Sequence, residues 1–182
     1  GEWPTALCGK FEEKFLSLPK ECIITPMREH QRYFPVLNED GSLMNKFITV
    51  RNGGKKYLDV VAHGNERVLR ARLSDAEFFF NEDRKIKLED RLEKLKTVSF
   101  QEGLGNMYDK SSRLVKAADM IAFGLNIKVD KDLLDRTALL CKTDLVTGMV
   151  IEFTELQGVM GREYAKLDGE APAVAPGIFE HY

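Results

Sequence analysis

The stretch Gly64–Phe80, GNERVLRARLSDAEFFF, constrains the fold more than any other part of the chain, because a single helical period accounts for both of its faces. At a helical step of about 100° per residue, Leu69, Leu73, Ala76 and Phe80 fall on one stripe, the pattern of a helix packed on a core. Arg67 and Arg70 point the other way. Two readings of that outer face stand side by side. In one it is a solvated surface, with Glu66 supporting Arg70 and Arg72 near Asp75. In the other it is a surface that meets phosphate.

The bulk of the chain narrows the choice. With 182 residues and 43% hydrophobic content it can bury a real core, as one ordinary domain or two small ones. A net charge of −2 excludes a strongly basic nucleic-acid protein, so nucleic-acid binding has to rest on a local patch. Such a patch exists in the sequence: between Arg28 and Arg72 there are nine Lys and Arg against five Asp and Glu. Cys8, Cys22 and Cys141 are odd in number and widely spaced, which fits reduced thiols rather than a disulfide framework or a zinc site. No run of apolar residues is long enough for a membrane span, and no charged-then-apolar leader opens the chain, so the expectation is a cytoplasmic protein. A start at Gly1 and a stop at Tyr182 without a terminating signal read as a piece of something longer.

Local patterns predict an α+β organisation. Pro19 opens a short helix through Glu21, Cys22 and Ile23, with Pro26 near its end. Tyr33–Leu37 and Lys46–Val50 read as strands around the turn-rich Asn38–Ser42, and Asn52-Gly53-Gly54 closes the hairpin. Residues after Lys55 are helical, with Gly64 breaking Tyr57–His63 from the arginine helix. The charged run Asn81–Lys87 is a junction, giving a mixed α/β module over residues 1–84 and an all-helical domain over 85–182. In the latter, Leu114, Ala118, Ile121 and Leu125 form one core stripe, and Leu134, Ala138, Cys141, Leu145 and Met149 another. Asp130 is a helix N-cap, Gly124 or Asn126 ends the helix before it, and Gly158 sits in a turn feeding a further helix.

Little of the usual catalytic vocabulary is present. Gly53-Gly54 lacks a following Lys-Ser/Thr, and Gly103-Leu104-Gly105 lacks a third glycine, so both read as turns. The histidines are His30, His63 and His181, which leaves residues 81–180 without an imidazole for a metal centre. A Cys22–His30 nucleophilic pair is conceivable, but eight residues of separation say nothing about contact, and a structural thiol is the simpler account. The segment Met27-Arg28-Glu29-His30-Gln31-Arg32-Tyr33-Phe34 interleaves cations, an amide and aromatics, offering forked donors to phosphate and a stacking face in Tyr33 or Phe34. The same residues also suit a helix end whose arginines pair with Glu29 and whose aromatics enter the core.

Three long strings carry a resemblance: Met27–Val36, Gly64–Ala76 and Leu156–Ala165, joined by Leu92–Lys96 and Leu140–Met149. Together, in order and over nearly the whole chain, they resemble the beta subunits of bacterial heterotetrameric glycyl-tRNA synthetases. The resemblance implies that an alpha chain, with a class II core using ATP and Mg, makes the glycyl-adenylate. The beta chain is then chiefly the tRNA-binding partner, and this stretch needs no cofactor, metal or catalytic residue of its own. In agreement, neither the His-Ile-Gly-His nor the Lys-Met-Ser-Lys-Ser string of class I synthetases occurs, nor a class II arginine motif.

Beta chains of that family are several times longer, so an internal piece without the anticodon-binding region is implied. It resembles part of a B3/4-like α/β module of phenylalanyl-tRNA synthetase followed by a degenerate His-Asp phosphohydrolase fold. At the position most like the His-Asp pair the chain reads Lys142-Thr143-Asp144. The implied partners are the alpha subunit and tRNA(Gly), with no DNA and no membrane. Arg28, His30, Arg32, Arg51, Arg67 and Arg70 are the candidate RNA contacts. Two other readings are carried alongside: a metal-dependent phosphohydrolase or editing hydrolase, and a scaffold that only contacts other subunits.

Overall fold

Alternation of small and apolar side chains over Pro4–Lys10 builds a strand (β1), which a helical turn at Glu13–Ser17 connects to a short helix, Lys20–Thr25 (α1). The computed structural model describes residues 3–182. It continues with strands Phe34–Leu37 (β2) and Leu43–Asn52 (β3), then a helix of 26 residues, Leu58–Asp83 (α2). The chain divides into two units, one ending at Phe80 and the other beginning at Asn81.

In the first unit the three strands form an antiparallel sheet in the order β1-β3-β2, so the strand ahead of the foreseen hairpin joins it on the far side of β3. Period-two burial follows: Leu7, Gly9, Phe47 and Thr49 face the core, while Ala6, Cys8, Lys10, Lys46, Ile48 and Val50 are exposed. Gly9 lies opposite Phe47, and a Cβ there would come within 2.3 Å of the Phe47 ring, so only glycine lets the ring lie across β1. Tyr33 stacks on Phe47 at 4.7 Å between centroids. Gly53 does not close the β2–β3 turn; its N–H bonds the Trp3 carbonyl beside β1, and the turn itself is held between Asn38 and Ser42.

The helix foreseen from Gly64 to Phe80 is present, and Leu69, Leu73, Ala76 and Phe80 are all buried. The expected break at Gly64 is not: α2 runs through it without interruption. A glycine inside a helix costs only about 1 kcal/mol against alanine, which the burial of two leucines outweighs. The helix is tied along one side to the end of β1 and the segment after it. Glu66 accepts the Lys10 N–H at 2.9 Å, Arg70 pairs with Glu12 at 2.6 Å and Glu77 with Lys14 at 2.7 Å.

The second unit contains a helical stretch at Glu89–Thr97, strands Ser99–Gln101 (β4) and Gly105–Asn106 (β5), and helices Met107–Gly124 (α3) and Lys131–Leu140 (α4). After a helical turn at Thr143–Val146 come Gly148–Glu152 (α5), Val159–Asp168 (α6) and Val174–Glu180 (α7). The architecture is α+β, but the expected all-helical character of this part is corrected by the β4–β5 ribbon. Gly103 and Gly105, with φ of 77° and 78°, adopt the left-handed backbone that reverses the chain there.

Caps follow the sequence where partners are local. Asn106 and Asp109 form a capping box on α3, and the Asp130 side chain accepts from Asp132 and Leu133 at the start of α4. Gly158, at φ 77°, precedes α6 as expected. Two core stripes need correction. Ile121 and Leu125 are 58% and 67% exposed, so the outer half of the α3 stripe is surface. The stripe from Leu134 to Met149 is not one helix either, since α4 ends at Leu140 and Thr143 and Thr147 turn their hydroxyls onto the carbonyls of Leu140 and Asp144. Among the described residues no helix is long and apolar enough to cross a membrane.

Candidate nucleic-acid interface

Arg28 and His30 lie on the helical turn Pro26–His30 that prolongs α1, and Met27 within it is fully buried. That anchor turns Arg28, Glu29 and His30 outward, and all three are exposed. Glu29 stands between the arginines, 3.8 Å from Arg28 and 3.9 Å from Arg32. At such lengths, on the surface, the pairs hold each guanidinium by no more than about 1 kcal/mol. Arg32 has φ 57°, a left-handed kink that separates the turn from β2. Of the two aromatics in this segment, Tyr33 enters the core and Phe34 stays 60% exposed.

The other candidates sit elsewhere in the first unit. Arg51, half-buried near the end of β3, donates from Nη1 to the Lys56 carbonyl at 3.1 Å. Arg67 and Arg70 project from α2, as the helical period requires, and both are exposed. Arg67 forms no ion pair among the described residues. Arg70 does, with Glu12 rather than with Glu66, which is occupied by the Lys10 N–H. Around Arg70 a cleft of about 260 Å³ is lined by Lys10, Glu12, Glu13, Asn45 and Glu66, so its carboxylates outnumber its cations. An anion finds no field there. Arg28 and Arg32 are thus brought together through Glu29, whereas Arg51, Arg67 and Arg70 each have separate surroundings.

Two buried carboxylates in the second unit have roles that the sequence did not show: Asp83, which the sequence placed only in the charged junction, and Asp144, which it singled out only by resemblance to a His-Asp pair. Asp83 accepts from the backbone N–H groups of Gly148 and Met149, both at 2.8 Å, and from the Tyr164 hydroxyl at 2.9 Å, with Arg91 at 3.5 Å. It serves as the anion at the start of α5. Asp144, fully buried, accepts from the N–H groups of Gly158 and Gly161 at 2.6 and 3.1 Å and does the same for α6. Burial pushes its carboxyl up to about 6, against the pull of those two N–H groups and of Lys142. For Asp144 the sequence signal was the Lys142-Thr143-Asp144 string, read as the position most like a His-Asp pair and not as a helix cap.

The donor set around Asp144 does not suit a divalent metal. One oxygen is taken by two backbone donors, and the other is buried without a hydrogen-bond partner. Lys142 is nearly buried beside it, its ammonium 3.8 Å from the Tyr182 ring and its pKa lowered by burial. Burial also lifts the Cys141 thiol to about 11 and lowers His181. Among the described residues no three His, Cys, Asp or Glu side chains converge as metal ligands. A cation and capping N–H groups surround the one carboxylate that the phosphohydrolase reading needs, so that reading has no centre to work from.

A family model described as glycyl-tRNA synthetase beta subunit matches residues 1–182. Curated relatives named glycine–tRNA ligase beta subunit are similar over the whole chain: 56% identical over 182 residues in Desulforamulus reducens, 57% over 181 in Syntrophotalea carbinolica and 52% over 182 in Listeria monocytogenes. In each case the match takes 100% of this chain and 26% of the relative, so the chain spans about a quarter of those proteins' length.

Proposed function

The chain belongs to the glycyl-tRNA synthetase beta-subunit family, and from that premise we propose that this stretch helps hold tRNA(Gly) for ligation by an alpha subunit. ATP and Mg are placed at the alpha subunit, and the complex in the cytoplasm. The observation that carries the reading is Arg67, exposed on α2 without an ion pair among the described residues. An unpaired guanidinium on a rigid helix can meet a phosphate with both nitrogens at little cost in order. Arg28, His30, Arg32 and Arg51 support it as partly compensated donors at the surface of the same unit. Arg70 is assigned a smaller part, because Glu12 occupies it.

The fold supports two finer readings. The antiparallel sheet with α2 suits part of a B3/4-like module. The second unit suits a His-Asp phosphohydrolase fold whose chemistry is gone, with Asp144 retained as a helix anchor.

Arg67→Ala in the complete alpha–beta enzyme tests the proposal. The expected result is a KM for tRNA raised roughly tenfold, equivalent to about 1.4 kcal/mol, with glycine-dependent ATP–pyrophosphate exchange unchanged. Replacement of Arg70 should do less. An unaltered KM for tRNA removes Arg67 from the interface.

A further inference from the structure

The outer face of the three-stranded sheet is apolar where a solvated face should be polar. In one row across the sheet, Cys8 of β1 lies opposite Ile48 of β3, which lies opposite Phe34 of β2; in the next row Ala6 lies opposite Val50. All five are exposed, with Phe34 at 60%, Ile48 at 39% and Val50 at 49%. The opposite face already buries Leu7, Phe47 and Thr49, so the sheet is apolar on both sides, the composition of an inner layer. At the end of this face Lys10 and Lys46 are directly opposite each other and both exposed. Like charges in that position repel; Lys10 borders a cleft that holds Glu12, Glu13 and Glu66, but Lys46 has no ion pair among the described residues, and a carboxylate laid over the pair would relieve the repulsion. The three strands themselves contain no Asp or Glu.

We propose that this face is covered, in a chain of the relatives' length, by a layer from the part of the same beta polypeptide outside these 182 residues, aliphatic at its centre and acidic over Lys10 and Lys46. About three-quarters of each relative's length lies outside the matched stretch, since the match takes 26% of it, so polypeptide for such a layer is at hand. RNA fits the face less well. Its middle is aliphatic with one ring, and its cations are confined to one end, whereas single-stranded RNA seeks several stacking platforms along a basic track. The inference is independent of the role given to Arg67.

Cys8 is the probe the sequence supplies, since Cys22 and Cys141 are buried. Pulsed maleimide labelling of the full-length beta chain, without alpha subunit or tRNA, is followed by mass spectrometry of the peptide carrying Cys8. Labelling at least about tenfold slower than in urea is expected. Zero-length carbodiimide coupling of the same sample should join Lys10 or Lys46 to an Asp or Glu of a beta peptide outside these 182 residues. Cys8 that reacts at the unfolded rate in the beta chain alone overturns the proposal. Protection gained only when tRNA is added then assigns the face to RNA, and protection gained only with the alpha subunit assigns it to that contact. Coupling confined to carboxylates within the 182 residues also overturns it.

Discussion

Asp83 and Asp144 each place a carboxylate where a helix leaves its first N–H groups unpaired, and each is buried enough for the loss to be felt. Asp83→Ala would leave two backbone donors without an acceptor and Arg91, itself buried, without its counter-charge. The expected loss is about 3–5 kcal/mol, against about 1.5–3 kcal/mol for Tyr164→Phe, which removes one hydrogen bond to a charged group. Urea midpoints at unchanged slope measure both, and an Asp83→Ala protein within 1 kcal/mol of the parent would show that the cap carries no weight. Asp144 makes a pH-dependent contribution. Its folded pKa of about 6 lies above the usual 3.8, so the folded state holds its proton more tightly than the unfolded one. Asp144 therefore adds stability at low pH that is lost as pH rises from near 4 through 6, by roughly 3 kcal/mol across the window. Wild type should gain on Asp144→Asn by about that amount when both are unfolded at pH 4 instead of pH 7, and parallel curves would refute it.

At the level of elements, α2 shows both what the sequence makes legible and where reading stops. Its buried stripe is a matter of local period, and Leu69, Leu73, Ala76 and Phe80 all lie in the core. Gly64 looked like a stop because glycine disfavours helix, yet α2 runs through it, and nothing lies within 4 Å of where its Cβ would be. Gly64→Ala should accordingly raise stability by about 0.5–1 kcal/mol, read as an increase in melting temperature; a decrease would mean that the site is sterically closed. β1 gave too little contrast to be seen, since Gly9 is buried only because Phe47 crosses it. The β4–β5 ribbon is too short to show a period. Partners distant in the chain were out of reach altogether: which acid holds Arg70, and that Asp83 starts α5, depend on contacts 58 and 65 residues apart. The outward direction of Arg67 was readable; that no counter-ion meets it among the described residues was not.

Over the whole molecule, charge and apolar surface are distributed unevenly. Up to Phe80 there are 12 Lys and Arg against 11 Asp and Glu, and beyond it 15 against 18, so an anionic ligand meets no general field and must be held by individual side chains. On the proposed function, the contribution of this stretch to RNA affinity should therefore depend weakly on salt: each cation on a phosphate steepens the log–log slope by about 0.9 or less. Arg67→Ala and Arg51→Ala together should flatten the slope of the complete enzyme by less than about 2, as filter binding across a salt series would show. A larger change would mean that these substitutions disturb more than their own contacts. Phe123, exposed at the end of α3 beside Ile121 and Leu125, can be replaced by Asp without loss of fold in this stretch; a lower melting temperature would show that the side chain is packed. For an engineer who wished to build a hydrolytic metal centre into the second unit, the Asp144 cap sets an awkward trade. Adding histidines around it would not suffice, because any metal drawn to that carboxylate competes with the start of α6, and a replacement anchor for the helix would have to be installed first.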